Sequence, residues 1–567
     1  MLPLTLWIML AKLFGPMILA VYAFERTGIR ASKLEITLVA LATSYVAGSI
    51  FMLVDDITEY FLARKMNATP VKRYYTWWPG SIDFVYACTT KLRGTPAAPL
   101  DHALVTTLGK TNGIIRFRAM GRDVYYTDNT TAIGAILAKS FDHYTKGEDF
   151  KRAFGDFLGN GIFSSDQSDN WWAWHRKSTK PFFAKSRLSD FTTFESHTKH
   201  LLSAIDHAPS DEIDIQDLFG RFTLDAGVEF LFGYNLDSMG EAYTPTSHAQ
   251  SSSFLRAFNE AQEASSTRVL QGDTFLLTEA FHNPMKAPMA VIRPLLDRVV
   301  DAALARRKSA DLSAEEAKIA TEHATLLDYL LDITEDKTLI RSELLNILLA
   351  ARDTTASLLT SVCYELANHP EALKRLREEI AELPAAGVEL SYEQITPLRY
   401  LRAVLNETLR LYPSVPLNVR FARHDNVIEH EGQRLFIRGG TRFNYSTWRM
   451  QRCPELWGDD AEEWKPERWL DERIKVISKF PHAFVPFSAG PRLCIGQNYA
   501  YQESSYCLIR LLQKYQGISL TRQQRFMSCI TLQWRAPNDA DMITGNFPAV
   551  DDRHLYVRLT KAKSAQQ

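Results

Sequence analysis

Cysteine is scarce in this chain. Six residues, Cys88, Cys363, Cys453, Cys494, Cys507 and Cys529, are scattered over 567 positions. None forms a Cys-x-x-Cys pair, which removes zinc-ribbon and thioredoxin-like readings. Such sparse usage suits a reducing compartment. An excess of one charge is missing too: 65 Lys and Arg stand against 66 Asp and Glu. The basic footprint of a nucleic-acid binder is therefore absent. There is no Gly-x-Gly-x-x-Gly dinucleotide fingerprint, no internal repeat and no long low-complexity tract. The first residues lack the basic start of a secretory signal peptide. What remains is a long chain, 46% hydrophobic, able to build one large core or two to three domains.

Residues 36–54 form an uncharged, mostly apolar run. As a helix it extends about 28 Å, close to the roughly 30 Å of a bilayer's hydrocarbon core. The other reading is a buried helix of a soluble domain. Residues 2–23 are apolar as well but carry Lys12. A lysine at the bilayer centre costs about 2.5–3.5 kcal/mol, so this run is only a possible second span. Arg64, Lys65, Lys72 and Arg73 after the main run slightly outnumber Arg26, Arg30 and Lys33 before it. This bias places the large domain in the cytosol. Residues 1–65 are thus expected as a membrane anchor and 66–80 as a linker, punctuated by Pro70 and Pro79-Gly80. Tyr74, Tyr75, Trp77 and Trp78 are expected at headgroup level or packed on the large domain, which would occupy 81–560. Residues 561–567 are a polar tail.

The organising stretch is Phe487-Ser-Ala-Gly490-Pro-Arg492-Leu-Cys494-Ile-Gly496. A lone cysteine sits in a turn between glycines, which permit backbone conformations that expose amide N–H groups. Such donors, and a cation such as Arg492, favour thiolate over thiol. A thiolate so placed suits the proximal side of a haem iron, with Phe487 shielding the sulfur. The bland alternative is a free cysteine in a glycine-rich loop. The stretch resembles the cysteine loop of the cytochrome P-450 family of haem-thiolate monooxygenases, Phe-x-x-Gly-x-Arg-x-Cys-x-Gly. The resemblance implies a mainly α fold with a smaller β region and Cys494 as the axial ligand.

Other segments follow in that family's order. Trp172 and Arg176 are four residues apart, on one face of a helix. The resemblance implies that both meet haem propionates and that nearby Lys177 and Lys180 face a reductase. Residues 343–367 are apolar nearly all round, hence a buried helix. Ala350, Asp353 and Thr354 share one of its faces. An acid beside an alcohol in such a helix is costly without a task, and proton delivery for O–O cleavage is one. Small Ala350 leaves room for a flat porphyrin. It also lacks the glutamate that esterifies haem in some fatty-acid hydroxylases of the family, so the haem is expected to be non-covalent. Ala351 stands where the family usually has glycine.

Glu407-Thr-Leu-Arg410 pairs acid and base at i, i+3. With Arg468 it resembles the family's buried network behind the haem, a structural role. The segment Leu411-Tyr-Pro413-Ser-Val-Pro416-Leu-Asn418 resembles that of fungal alkane and fatty-acid hydroxylases. By that resemblance Val415, Pro416 and Leu417 line substrate, and Arg420 meets a propionate. Residues 217–233 read as an amphipathic helix without chemistry. Residues 251–303 read as helix, loop and helix, with Phe254, Phe258, Leu276 and Leu277 facing substrate or core.

The expectation is a membrane-anchored haem b enzyme of the endoplasmic reticulum, its catalytic domain facing the cytosol. It would hydroxylate a C–H bond of an apolar small molecule. Dioxygen and two electrons from NADPH, passed by a separate flavoprotein reductase, would drive the reaction. A long-chain fatty acid or alkane comes first as substrate; a terpenoid, polycyclic aromatic or other secondary metabolite is the alternative. A haem protein that does not hydroxylate is a further rival, and nucleic acid is not an expected partner.

Overall fold

The computed structural model describes residues 4–27, 31–74, 113–119, 122–167, 171–183, 191–240, 242, 250–309, 325–385, 387–430, 432–522, 525–529, 532–536 and 554–561. The expected domain start at 81, the aromatic residues Tyr75, Trp77 and Trp78, the Pro79-Gly80 turn and the tail beyond Lys561 lie outside these. Helices dominate, with four small sheets among the described residues.

The chain opens with α1 (Leu4–Thr27) and α2 (Lys33–Lys65), which pack on each other. Ser32 starts α2 through a capping box with Glu35. Among the described residues α2 is the one helix long and apolar enough to cross a membrane, and its apolar stretch is almost entirely unburied. The run at 36–54 is its middle; the helix continues to Lys65. The first described part of the expected linker is a strand, β1 (Thr69–Pro70).

Strands β2 (Ile114–Ala119) and β3 (Arg122–Thr127) pair antiparallel. Asn129 caps α3 (Thr130–Gly134), and β4 (Tyr144–Thr145) and α4 (Glu148–Leu158) follow. Next come α5 (Trp171–Thr179), α6 (Thr192–Asp206), β5 (Ile213–Asp214) and α7 (Ile215–Phe232). Gly233 ends α7 in a left-handed cap at φ +63°, a conformation that glycine adopts without penalty. The expected helix–loop–helix is α8 (Gln250–Gln271), a turn, and α9 (Lys286–Ser309). Phe254 and Phe258 of α8 are core residues, Phe258 packing edge-to-face on Phe157, whereas Leu277 points outward.

After α10 (Leu326–Ile333), the long α11 (Lys337–Asn368) runs unbroken through Ala351. Then come α12 (Pro370–Ile380), α13 (Arg399–Leu411), β6 (Leu417–Ala422), β7 (Asn426–His430), β8 (Gln433–Ile437) and β9 (Arg442–Ser446). Helix α14 (Gln497–Lys514) leads to β10 (Tyr515–Leu520), β11 (Arg525–Cys529), β12 (Leu532–Ala536) and β13 (Tyr556–Lys561). The largest sheet has the order β2-β3-β9-β6-β4, and β1 joins β8 and β7 in another.

Two large cores meet along α11. Its first half, Ile340 to Leu349, packs with α4, α8, α9 and α10. Its second half, Ala356 to Leu366, packs with α6, α7, α13 and α14. Between the halves the helix gains exposure at Ala350, Ala351 and Thr354. A helix apolar all round is buried throughout unless something breaks its packing. The break falls on the face predicted to carry chemistry.

Candidate active site

The cysteine loop is held from both sides of the chain. A 3-10 turn spans Gly490–Arg492, and Cys494 N–H donates to the Phe487 carbonyl at 3.0 Å. Gly490 sits at φ +65°, and a Cβ there would collide with the Leu137 carbonyl, so no other residue fits. Phe487 packs on Tyr501, ring centroids 5.1 Å apart. Burial pushes the Cys494 thiol up, opposed by the Gly496 backbone N–H and the Arg176 cation.

That cation was expected to be Arg492. Its guanidinium instead donates to the Ser165 carbonyl at 3.0 Å and lies 4.7 Å over the Trp172 ring. The turn aims it away from the sulfur. Arg176 donates to the Leu493 carbonyl at 2.9 Å, one residue before the cysteine. Trp172 is buried, with Phe141 on its other side at 5.4 Å. The α5 pair and the cysteine loop are thus brought together. His175, between them in sequence, ties α5 to α11 through a fully buried pair with Glu343 at 2.8 Å.

A third cation joins them. Lys146 follows β4 and is buried, 4.3 Å from the Phe150 ring centroid. Burial first, then repulsion by Arg420 and Arg492, pulls its pKa far below the usual lysine range, with Asp166 opposing. Arg420 is itself buried on β6; its guanidinium donates to the Val419 carbonyl at 2.8 Å and the Asn418 amide oxygen at 3.3 Å and lies 5.8 Å from the Tyr445 ring centroid. Asp166 already accepts from the backbone N–H groups of Gly147 and Gln167. Among the described residues Lys146, Arg420 and Arg492 therefore converge, with the already committed Asp166 beside Lys146. Buried charge of this kind is costly unless an anion joins it. An iron porphyrin with two propionates fits that requirement, and the cysteine sulfur fits the iron.

On α11, Thr354 donates its hydroxyl to the Ala350 carbonyl at 2.8 Å, so its oxygen is left to accept. Asp353 is buried; Arg352 donates to it at 2.9 Å and to Asn259 of α8 at 2.7 Å. Burial lifts the Asp353 pKa to about 6 against the pull of Arg352 and Gln262. Ser414 donates to the Thr354 carbonyl at 3.1 Å, which fixes the post-α13 segment on α11. The Val415 and Pro416 carbonyls accept from Thr447 at 2.7 and 3.0 Å; Leu417, half-buried, pairs with Ser446.

Glu407, Arg410 and Arg468 are fully buried together. Glu407 accepts both ends of Arg410 at 2.8 and 2.9 Å, Trp469 at 3.0 Å and the Lys465 N–H at 2.9 Å. Arg410 also donates to the Gln451 and Ala461 carbonyls, and Arg468 to Trp457 and Asp460. Each charge is satisfied within one rigid unit.

Sequence reading passed over Lys146, Arg352 and Glu503. Glu503 lies on α14, fully enclosed, its carboxyl lifted to about 8 by burial with Thr355 and Tyr499 opposing. Glu503 stands between Gln502 and Ser504-Ser505, so no apolar run marks it in the sequence. Lys146 carries no signal either, because its partners come from distant segments.

Comparison with known proteins agrees with this arrangement. The family model described as Cytochrome P450 matches residues 95–531. The chain is 35% identical over 465 residues to cytochrome P450 monooxygenase himC of Aspergillus japonicus, covering 81% of this chain and 80% of the relative. It is 34% identical over 429 residues to cytochrome P450 52A12 of Debaryomyces hansenii (73% and 80%). With cytochrome P450 52A9 of Candida maltosa it shares 33% over 500 residues (84% and 92%). Cysteine loop, converging cations and these matches lead to one conclusion: the chain belongs to the cytochrome P450 family of haem monooxygenases.

Proposed function

We propose that this enzyme hydroxylates a long-chain fatty acid or alkane at the endoplasmic reticulum membrane, with α2 spanning the bilayer and the catalytic domain in the cytosol. The balance is R–H + O2 + NADPH + H+ giving R–OH, water and NADP+, the two electrons passing through a separate flavoprotein reductase. The observation carrying the substrate reading is the segment 411–418, seated on α11 at Thr354, with its likeness to fungal alkane and fatty-acid hydroxylases. The almost wholly unburied apolar helix α2 supports delivery of an apolar substrate from lipid.

Haem, when bound, supplies dioxygen activation, so that one oxygen atom enters the C–H bond and the other leaves as water. Cys494 would hold its iron through the sulfur, with Phe487 shielding that sulfur. Lys146, Arg420, Arg492 and Trp172 would take the propionates; Arg176 serves both the cysteine loop and that side. Ala350 leaves space for the ring and offers no carboxylate for a covalent link. Glu407, Arg410 and Arg468 hold the cysteine loop from behind. Lys177 on α5 and Lys180 just after it, both exposed, offer positive charge to the reductase.

Asp353 changes proton state near pH 6, within reach of physiological conditions. Thr354, its proton committed to Ala350, accepts and holds a proton donor beside it. Reconstitution of the purified chain with reductase, NADPH and fatty acid should give hydroxylated product. Asp353→Asn and Thr354→Ala should each lower product formed per NADPH consumed, by about 100-fold for the acid. The turnover rate should fall on the alkaline side of pH 6, where Asp353 has lost its proton. Arg352→Gln removes a cation that favours the carboxylate, so this limb should move to higher pH. Hydroxylation unchanged in both the Asp353 and Thr354 variants would sink the relay.

Lys146→Met carries a prediction of opposite signs. Without haem the variant should be more stable, because a repelled, buried ammonium is gone. With haem it should release the cofactor faster, by about 10-fold or more, the worth of a charge-assisted bond. Transfer of haem to apomyoglobin measures the second effect; an unchanged rate would remove Lys146 from the propionate set.

A further inference from the structure

The apolar run of α2 ends at Val54, and the next residues carry Asp55, Asp56 and Glu59. Each of them is paired with arginine. Arg118 of β2 pairs with Asp55. Arg73 and Arg116 reach Asp56 at 2.7 and 2.6 Å. Arg116 also pairs with Glu59, which accepts the Tyr125 hydroxyl at 3.2 Å. Asp123 of β3 closes the cluster: Arg73 donates to both its oxygens at 2.8 and 2.9 Å, and Arg118 at 2.8 Å. Arg438 adds a longer contact to Asp55 at 3.6 Å. Four arginines thus balance four carboxylates. Glu59, Arg73 and Arg116 have side chains 0, 1 and 3% exposed. Arginine partners outweigh burial and hold the Asp123 carboxyl at about 2.

The backbone follows the same course. Ala63 is buried, Arg434 donates to the Met66 carbonyl, β1 pairs in parallel with β8, and Tyr74 N–H donates to Arg116 at 2.7 Å. From residue 55 to 74 the chain is fastened to two sheets. Bidentate arginine–carboxylate pairs fix direction as well as distance.

We propose that α2 is a rigid mast, its last three turns forming part of the catalytic domain. It holds that domain at one attitude to the bilayer, with the β2–β3 hairpin against lipid headgroups. Asp55 ends the uncharged apolar run directly, so Arg118, bonded to it, is placed at the hydrocarbon boundary. The inference rests on the membrane reading above and goes beyond it, because an anchored domain on a loose tether would have no fixed attitude.

The test uses the full-length holoenzyme in phospholipid nanodiscs and oriented bilayers. Hydrogen exchange should show protected amides over residues 55–66, and linear dichroism a single haem tilt. Glu59→Gln leaves Arg116 short of a buried partner and should speed exchange there by about 100-fold and lower the dichroism. Glu59→Gln combined with Arg116→Gln, which removes both charges, should recover most of the protection. The red-shifted Soret band of the reduced, CO-bound form reports whether each variant keeps its fold. If Glu59→Gln loses that band, Asp55→Asn at the cluster's rim takes its place. Fast exchange over 55–66 in the unaltered protein, or no change in either readout with the variants, overturns the mast. Carbonate extraction separates the two claims: a chain that washes off membranes while 55–66 stay protected overturns the membrane reading and the fixed attitude, and leaves the clamp.

Discussion

Cys494→Ala is expected to abolish the red-shifted Soret band of the reduced, CO-bound enzyme and to reduce hydroxylation to background. The fold should survive, because the side chain lies outside both large cores. Its loop is set by Gly490, the Cys494 N–H to Phe487 bond and the Arg176 bond to Leu493, none of which needs the sulfur. The loss should therefore be one of ligand and chemistry. Far-ultraviolet circular dichroism checks the first half of this statement and absorption spectroscopy the second. A variant that keeps the band would remove Cys494 as the axial ligand.

Glu407→Gln should be the most damaging change away from the iron. Among the described residues it leaves the fully buried Arg410 with no carboxylate and Arg468 with Asp460 alone. Breaking a buried ion pair on one side costs about 3–5 kcal/mol, since the remaining charge is uncompensated. That is a large part of a domain's net stability, roughly 5–15 kcal/mol. Chemical unfolding of the holoenzyme should show the loss together with release of haem. A cost under about 1 kcal/mol would mean that Asp460 and the Gln451, Ala461, Glu463 and Trp457 carbonyls hold the arginines without the acid.

Much of the architecture was legible because it rests on local patterns. The all-apolar run of α11 signals burial, and its interruption at Asp353-Thr354 marks the place where the two cores part. The helix ending at Gly233 carries its own stop signal. Direction was not legible. Spacing along the chain put Arg492 near the sulfur, but a 3-10 turn sends its side chain to Ser165 and Trp172. Arg176 was placed on the correct helix, yet its hydrogen bond goes to the cysteine loop, 317 residues away.

Long-range pairing was equally hidden. Hydropathy ends the apolar run of α2 at Val54, where three carboxylates begin. The helix continues because arginines on β2 and in the segment after it accept those charges. The Lys146, Arg420 and Arg492 group draws on three separated segments, and no one of them announces the others. Glu503 was hidden for the same reason: its neighbours in sequence are polar, and its burial comes from tertiary packing.

The most direct test is a titration of the ferric Soret band of the purified full-length protein. A long-chain fatty acid is added first, then a terpenoid and a polycyclic aromatic. The account predicts a saturable low-to-high-spin shift with the fatty acid and none with the ring compounds. A shift with the ring compounds alone would contradict the proposed substrate.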